Sequence, residues 1–231
     1  MIGDHPKNQL DRVICQIRFP LITDFDAKVE TFLNDIRRMY PNRVANTRSP
    51  VGMLEPMVLL EAIMQSADRI WSVNVSSSAL SLTCTRYTDW NEFMKRMTFL
   101  VEQFCARFKI ETITRVGLRY INAVKPSTIG CMDEKDVLNE PYQRILSPLL
   151  GNVIGTQIVL EYQRTDDIKG RSIIGNIVFS DGEKGIMIDD DLYVESNLPM
   201  DDLVESLMSL NRESLSVFKS IVSDGVLGKV V

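Results

Sequence analysis

A chain of 231 residues, 45% apolar and 25% charged, has the composition of an ordinary globular protein and the length to bury a large core. Its net charge of −5 works against extended binding to a nucleic-acid backbone, where a basic excess is expected, and its apolar residues never form a run long enough for a transmembrane helix. The one histidine, His5, sits in a polar tip, which excludes Ser-His-Asp and Cys-His triads, histidine general bases and histidine-rich zinc sites.

The opening Met-Ile-Gly-Asp-His-Pro-Lys lacks the basic region and apolar core of a signal peptide. Cys15, Cys84, Cys105 and Cys131 show no Cys-x-x-Cys spacing. Reduced, mostly buried thiols in a cytoplasmic protein are expected, with no membrane partner. Alternation of Val13, Cys15, Ile17 and Phe19 predicts a first strand ended by Pro20. Thr23 and Asp24 offer N-cap chemistry to a helix carrying Phe25, Val29, Phe32, Leu33, Ile36 and Tyr40, which Pro41 stops.

Residues 42–56 read as a long loop. Three runs follow, Met57–Gln65, Ile70–Ser76 and Ala79–Tyr87, separated by polar turns and read as an antiparallel meander; the first is apolar enough to be helical instead. Asp89 caps the strongest helix of the chain, with Glu92 at the capping-box position and Trp90, Phe93, Met97, Val101, Phe104 and Phe108 among its stripe. A strand over 112–124 comes next.

The second half repeats the order. Asn139 opens a short helix with Pro141 in its first turn, closed by Pro148 or Gly151. Strands are predicted at Thr156–Gln163, Arg171–Ser180 and Gly185–Asp189, then a helix from Met200 to Val222 on Leu203, Leu207, Leu210, Leu215, Phe218 and Ile221. Val226–Val231 would add a short edge strand. The fold class is therefore α+β: one unit over 1–231 of mostly antiparallel sheet with helices on one face. Two helix–three strands–helix halves, 12–124 and 125–231, are a pattern-level expectation, because residue identity between them is negligible.

Arg115-Val-Gly-Leu-Arg-Tyr-Ile-Asn122 is the most informative stretch. Strand alternation sends Val116, Leu118, Tyr120 and Asn122 one way and Arg115, Gly117, Arg119 and Ile121 the other. A glycine inside a strand marks a bulge or a close approach. Arg115, Arg119, Tyr120 and Asn122 are the candidate binding residues for a phosphate-bearing ligand or an acidic partner. The structural alternative is an ion pair with a neighbouring strand, Glu161 being the expected carboxylate. The two arginines stand roughly 13 Å apart along a strand, too far to grip one phosphate unaided.

The acidic run Ile188-Asp-Asp-Asp-Leu-Tyr193 puts Asp189 and Asp191 on one strand face, a candidate Mg²⁺ site; a solvated strand end is the ordinary alternative. Neither a Gly-x-Gly-x-x-Gly loop nor a Gly-Lys-Ser/Thr loop occurs, and no cofactor is expected. Eleven methionines suit core gaps or adaptable interfaces.

The arginine segment resembles a sporadically distributed family of uncharacterised prokaryotic proteins carrying a mid-chain Arg-x-Gly-Leu-Arg-Tyr-x-Asn strand. Further motifs support the resemblance: Ile14-x-x-Ile-Arg-Phe19, Tyr87-x-x-Trp90, Asp189-x-Asp191 followed by Tyr193, and Leu210-Asn-x-x-Ser-x-x-x-Phe218. Asn211 stands where that family commonly has a histidine, so any role of that histidine is absent here. The family carries no assigned activity; its sporadic occurrence suggests mobile defence or toxin–antitoxin loci. The leading functional expectation is a non-enzymatic interaction or assembly component that self-associates or binds a partner protein. The alternatives are a nucleotide or nucleic-acid binding module using the arginine strand and a Mg²⁺-dependent hydrolase or phosphotransferase on Asp189 and Asp191.

Overall fold

The computed structural model describes residues 10–51, 57–131, 133–146 and 155–227. The first half runs β1 (Leu10–Arg18), α1 (Phe25–Ile36), β2 (Asn42–Val51), β3 (Met57–Gln65), β4 (Trp71–Val75), β5 (Ala79–Cys84) and α2 (Trp90–Phe108). After the short β6 (Thr112–Ile113) come β7 (Arg115–Val124), α3 (Pro126–Ile129), a 3₁₀ turn at Glu134–Val137 and α4 (Glu140–Leu146). The chain then forms β8 (Gln157–Gln163), β9 (Ile168–Val178), β10 (Lys184–Val194), β11 (Leu198–Pro199), α5 (Leu203–Ile221) and α6 (Asp224–Leu227).

Nine strands form one antiparallel sheet in the order β2-β3-β4-β5-β1-β7-β10-β9-β8, while β6 and β11 pair separately. The α+β class with a large antiparallel sheet is as the alternation predicts. The centre is the pair β1 and β7. Each is flanked on its outer side by the last strand of the meander that follows it, β5 for β1 and β10 for β7. Arg115–Val124 thus occupies in the second set the place that β1 has in the first.

Alternation decides the two faces. Across the centre, Val13, Cys15 and Ile17 pair with Tyr120, Leu118 and Val116, and all six are buried. Helices cover this face: Trp71 of β4 packs against Phe93 of α2, and Tyr120 of β7 bonds to Asn211 of α5. Phe25, Phe32, Phe104 and Phe108 form a ring cluster where α1 lies on α2, with Phe19 against Phe104. Each such ring contributes roughly 2–3 kcal/mol by leaving water. The Asp89 carboxylate accepts the Glu92 backbone N–H at 2.9 Å and caps α2; Lys109, in the left-handed region, ends it.

Several expectations need correction. The loop expected from residue 42 is strand β2 through Val51; residues 52–56 lie outside the described set. It pairs along β3 with a register shift between Val44 and Thr47, and as an edge strand it tolerates Pro50. Met57–Gln65 is a strand, the reading that the meander required. The Asp24 side chain makes no capping bond to α1. Strand 112–124 is divided: Thr112–Ile113 pairs with β11 and only Arg115–Val124 joins the main sheet. Strand β10 runs five residues beyond Asp189, so the acidic run lies inside a strand rather than at a solvated end. Asp224–Leu227 is a helical turn where an edge strand was expected; residues 228–231, like His5 and the helix stop at 148–151, lie outside the described set. Among the described residues no helix is long and apolar enough to cross a membrane.

Candidate functional site

The face of the sheet opposite the helices carries the arginine ladder. Register places Gly117 opposite Tyr193, Arg119 opposite Asp191 and Ile121 opposite Asp189 on β10. Arg119 donates from Nε and Nη2 to the two Asp189 oxygens at 2.6 and 2.5 Å, a bidentate pair diagonal to the strict register. Arg115 donates from Nη2 to Asp191 at 3.0 Å, and its guanidinium carbon lies 4.4 Å from the centre of the Tyr193 ring. The close approach expected at Gly117 is the seat of this guanidinium: a Cβ there would stand 2.6 Å from Arg115 Nη1. The structural ion-pair alternative therefore describes the arrangement, with a change of partner. Asp189 and Asp191 hold the arginines, while Glu161 faces Arg171 at 3.5 Å.

The four candidate binding residues divide by face. Arg115 and Arg119 lie on the open side; Tyr120 and Asn122 are buried under the helices. The Tyr120 hydroxyl donates to Asn211 Oδ1 at 2.6 Å. Asn122 is fully buried, and neither group of its amide finds a hydrogen-bond partner among the described residues. Such an orphan costs about 1–3 kcal/mol. The two candidate metal ligands are each engaged by a guanidinium, and among the described residues no group of three or more His, Cys, Asp or Glu is placed to hold a metal ion. Burial pushes the Asp191 carboxyl up, outweighing the opposing pull of Arg115 and Arg119, while the bond to Asp189 raises the Arg119 guanidinium.

The middle residue of the run was passed over by sequence reasoning, although it carries the most perturbed carboxylate. Asp190 points to the helix face, where Ser172 Oγ donates to Oδ1 at 2.5 Å, the Tyr162 hydroxyl to the same oxygen at 2.7 Å and Ser214 Oγ to Oδ2 at 3.3 Å. Burial pushes this carboxyl up to about 6, against the lowering effect of the three hydroxyls. It also drives the Tyr162 hydroxyl upward. A signal was present: Asp190 occupies the buried side of the alternation Ile186, Ile188, Leu192, Val194. The polar Asn211 and Ser214 likewise fill buried positions of the α5 stripe, where Leu215 was expected to lie.

An open cleft at the β10–α5 junction is lined by Asp167, Val194, Asp202, Glu205, Ser206 and Ser209, none of them a candidate from the sequence. A scan against protein-family models finds no match to this chain, and a search of curated proteins finds no similar sequence.

Proposed function

We propose that this protein is a non-enzymatic interaction or assembly component that pairs with copies of itself and with a partner protein. The observation that carries this reading is the face of the nine-stranded sheet opposite α2 and α5, where Arg12, Arg18 and Lys169 are exposed. At about 4.8 Å between strands, nine strands make a surface roughly 40 Å wide, comparable with a standard protein–protein interface. The charged groups on it are largely spent on each other, as Arg119–Asp189 and Arg115–Asp191. The outer edge of β8 supports self-pairing. In an antiparallel pair centred on Leu160, Gln157 meets Gln163 and the one charge, Glu161, meets Val159, so no like charges oppose. Val159 is 47% exposed. The family resemblance adds a mobile defence or toxin–antitoxin type locus as the setting.

The test is light scattering over a concentration series, with a pull-down from the native host. An oligomer that Val159→Glu weakens, by setting like charges opposite Glu161, supports the reading; a monomer at every concentration that retains no partner removes it. The second reading, a nucleotide or nucleic-acid module, draws on the 42% exposure of the Arg119 side chain. It requires a phosphate to displace Asp189, and it takes precedence if a salt-dependent affinity is lost in Arg119→Ala. The third, a Mg²⁺ enzyme on Asp189 and Asp191, requires both carboxylates to leave their arginines.

A further inference from the structure

We propose that the open face over β1 and β7 docks an acidic polypeptide segment, anchored by Arg18. This rests on the interaction reading and names the chemistry of the partner. Arg18 and Arg115 are direct cross-strand neighbours on this face. Like charges so placed repel and destabilise a sheet. Arg18 donates from Nε to Gln16 Oε1 at 2.9 Å, so its guanidinium leans toward the row of Gln16 and Gly117. The Arg115 guanidinium lies over that same row, on Gly117. Two cationic groups are thus brought together, and Asp191 answers only one. Arg18 has no carboxylate within 4 Å among the described residues, and Arg12, further along the same strand face, is 3.9 Å from Asp11. The centre of the face is locally basic on a chain of net charge −5.

That surplus selects among occupants. A second copy stacked on this face would set arginine against arginine. A single-stranded nucleic acid would look for free aromatic platforms. The aromatic residue of the ladder, Tyr193, is already covered by Arg115, and the row beyond β1 consists of Ala79, Ser81, Thr83, Ser72 and Asn74. Carboxylates suit the forked guanidinium, and the flanking hydroxyls and amides suit an extended backbone.

The experiment measures fluorescence anisotropy of a labelled oligoglutamate peptide with the full chain, at low and high salt, against labelled oligothymidylate of equal charge. Oligoglutamate should bind in a salt-sensitive way and more tightly than oligothymidylate. Arg18→Ser should weaken it by about tenfold, the loss of one charge-assisted contact, at a melting temperature no lower than that of the wild type, since a like-charge neighbour of Arg115 is removed, and Arg18→Lys should recover part. Absence of oligoglutamate binding, indifference to Arg18→Ser, or tighter binding of oligothymidylate overturns the proposal. Light scattering of the wild type, beside its oligoglutamate binding, separates this from the broader reading. Association that persists while oligoglutamate fails to bind removes the anchor alone; a monomeric, partnerless wild type removes the interaction reading itself.

Discussion

Tyr162 lies across Gly170, its cross-strand neighbour on β9, so closely that any Cβ on the glycine would overlap the ring. This is the helix-face counterpart of Arg115 resting on Gly117. In each case the missing side chain lets a long one lie flat over the sheet and reach a carboxylate of β10: Asp190 from Tyr162, Asp191 from Arg115. The two glycines differ in what an added methyl would meet, and so in cost.

Gly170→Ala forces the Tyr162 ring aside, breaking its bonds to Asp190 and Ser172. We expect a loss of about 2–3 kcal/mol, combining overpacking with a buried hydrogen bond. Urea unfolding of Gly170→Ala, Tyr162→Phe and the double variant checks it. The effects should be strongly non-additive, because both changes remove the same bond.

Gly117→Ala should cost less, about 1 kcal/mol or below, since the obstructing atoms are the end of a flexible arginine. Gly117→Val, with more volume on the same spot, should cost roughly 1–3 kcal/mol. The same unfolding series orders the three glycine variants. Equal losses at Gly117→Ala and Gly170→Ala would contradict the seating geometry.

Asp190 predicts a pH dependence of unusual sign. Its carboxyl is raised from 3.8 to about 6 in the fold, so between those values the folded state holds more protons than the unfolded state. Its contribution is fully present below about pH 4 and is lost as pH rises through about 6, amounting to about 3 kcal/mol. Asp190→Asn should remove this slope. The stability difference between wild type and variant, measured by urea unfolding from pH 4 to 8, should change over that window and be flat above it.

The Arg119–Asp189 pair should couple by about 1–2 kcal/mol in a double-alanine cycle, more than an exposed ion pair, because the Asp189 side chain is only 9% exposed. Arg119→Ala should cost more than Asp189→Asn, since it leaves a nearly buried carboxylate alone. With both carboxylates held by arginines, millimolar Mg²⁺ or Mn²⁺ should leave the melting temperature of the wild type unchanged, which thermal denaturation tests directly.

The strands and helices that bury one clear face were legible in the chain. The alternation of β1 and β7, the stripe of α2 and its Asp89 cap follow from local periodicity alone. Alternation also separated Arg115 and Arg119 from Tyr120 and Asn122 before any partner was known. Strand β2 was not legible, because an edge strand rich in Asn, Arg, Ser and Thr shows no apolar alternation and draws its bonds from β3. Nor were the partners of the arginines. Glu161 is as plausible as Asp189 until register is fixed, and register between β7 and β10, some 70 residues apart, depends on how the whole sheet stacks. The sequence by itself determined which side chains share a face, since that is a period of two along one strand. Only the tertiary structure decided which of them meet, and so turned one aspartate of three consecutive acids into a buried, hydroxyl-bound carboxylate while its neighbours became partners of arginine.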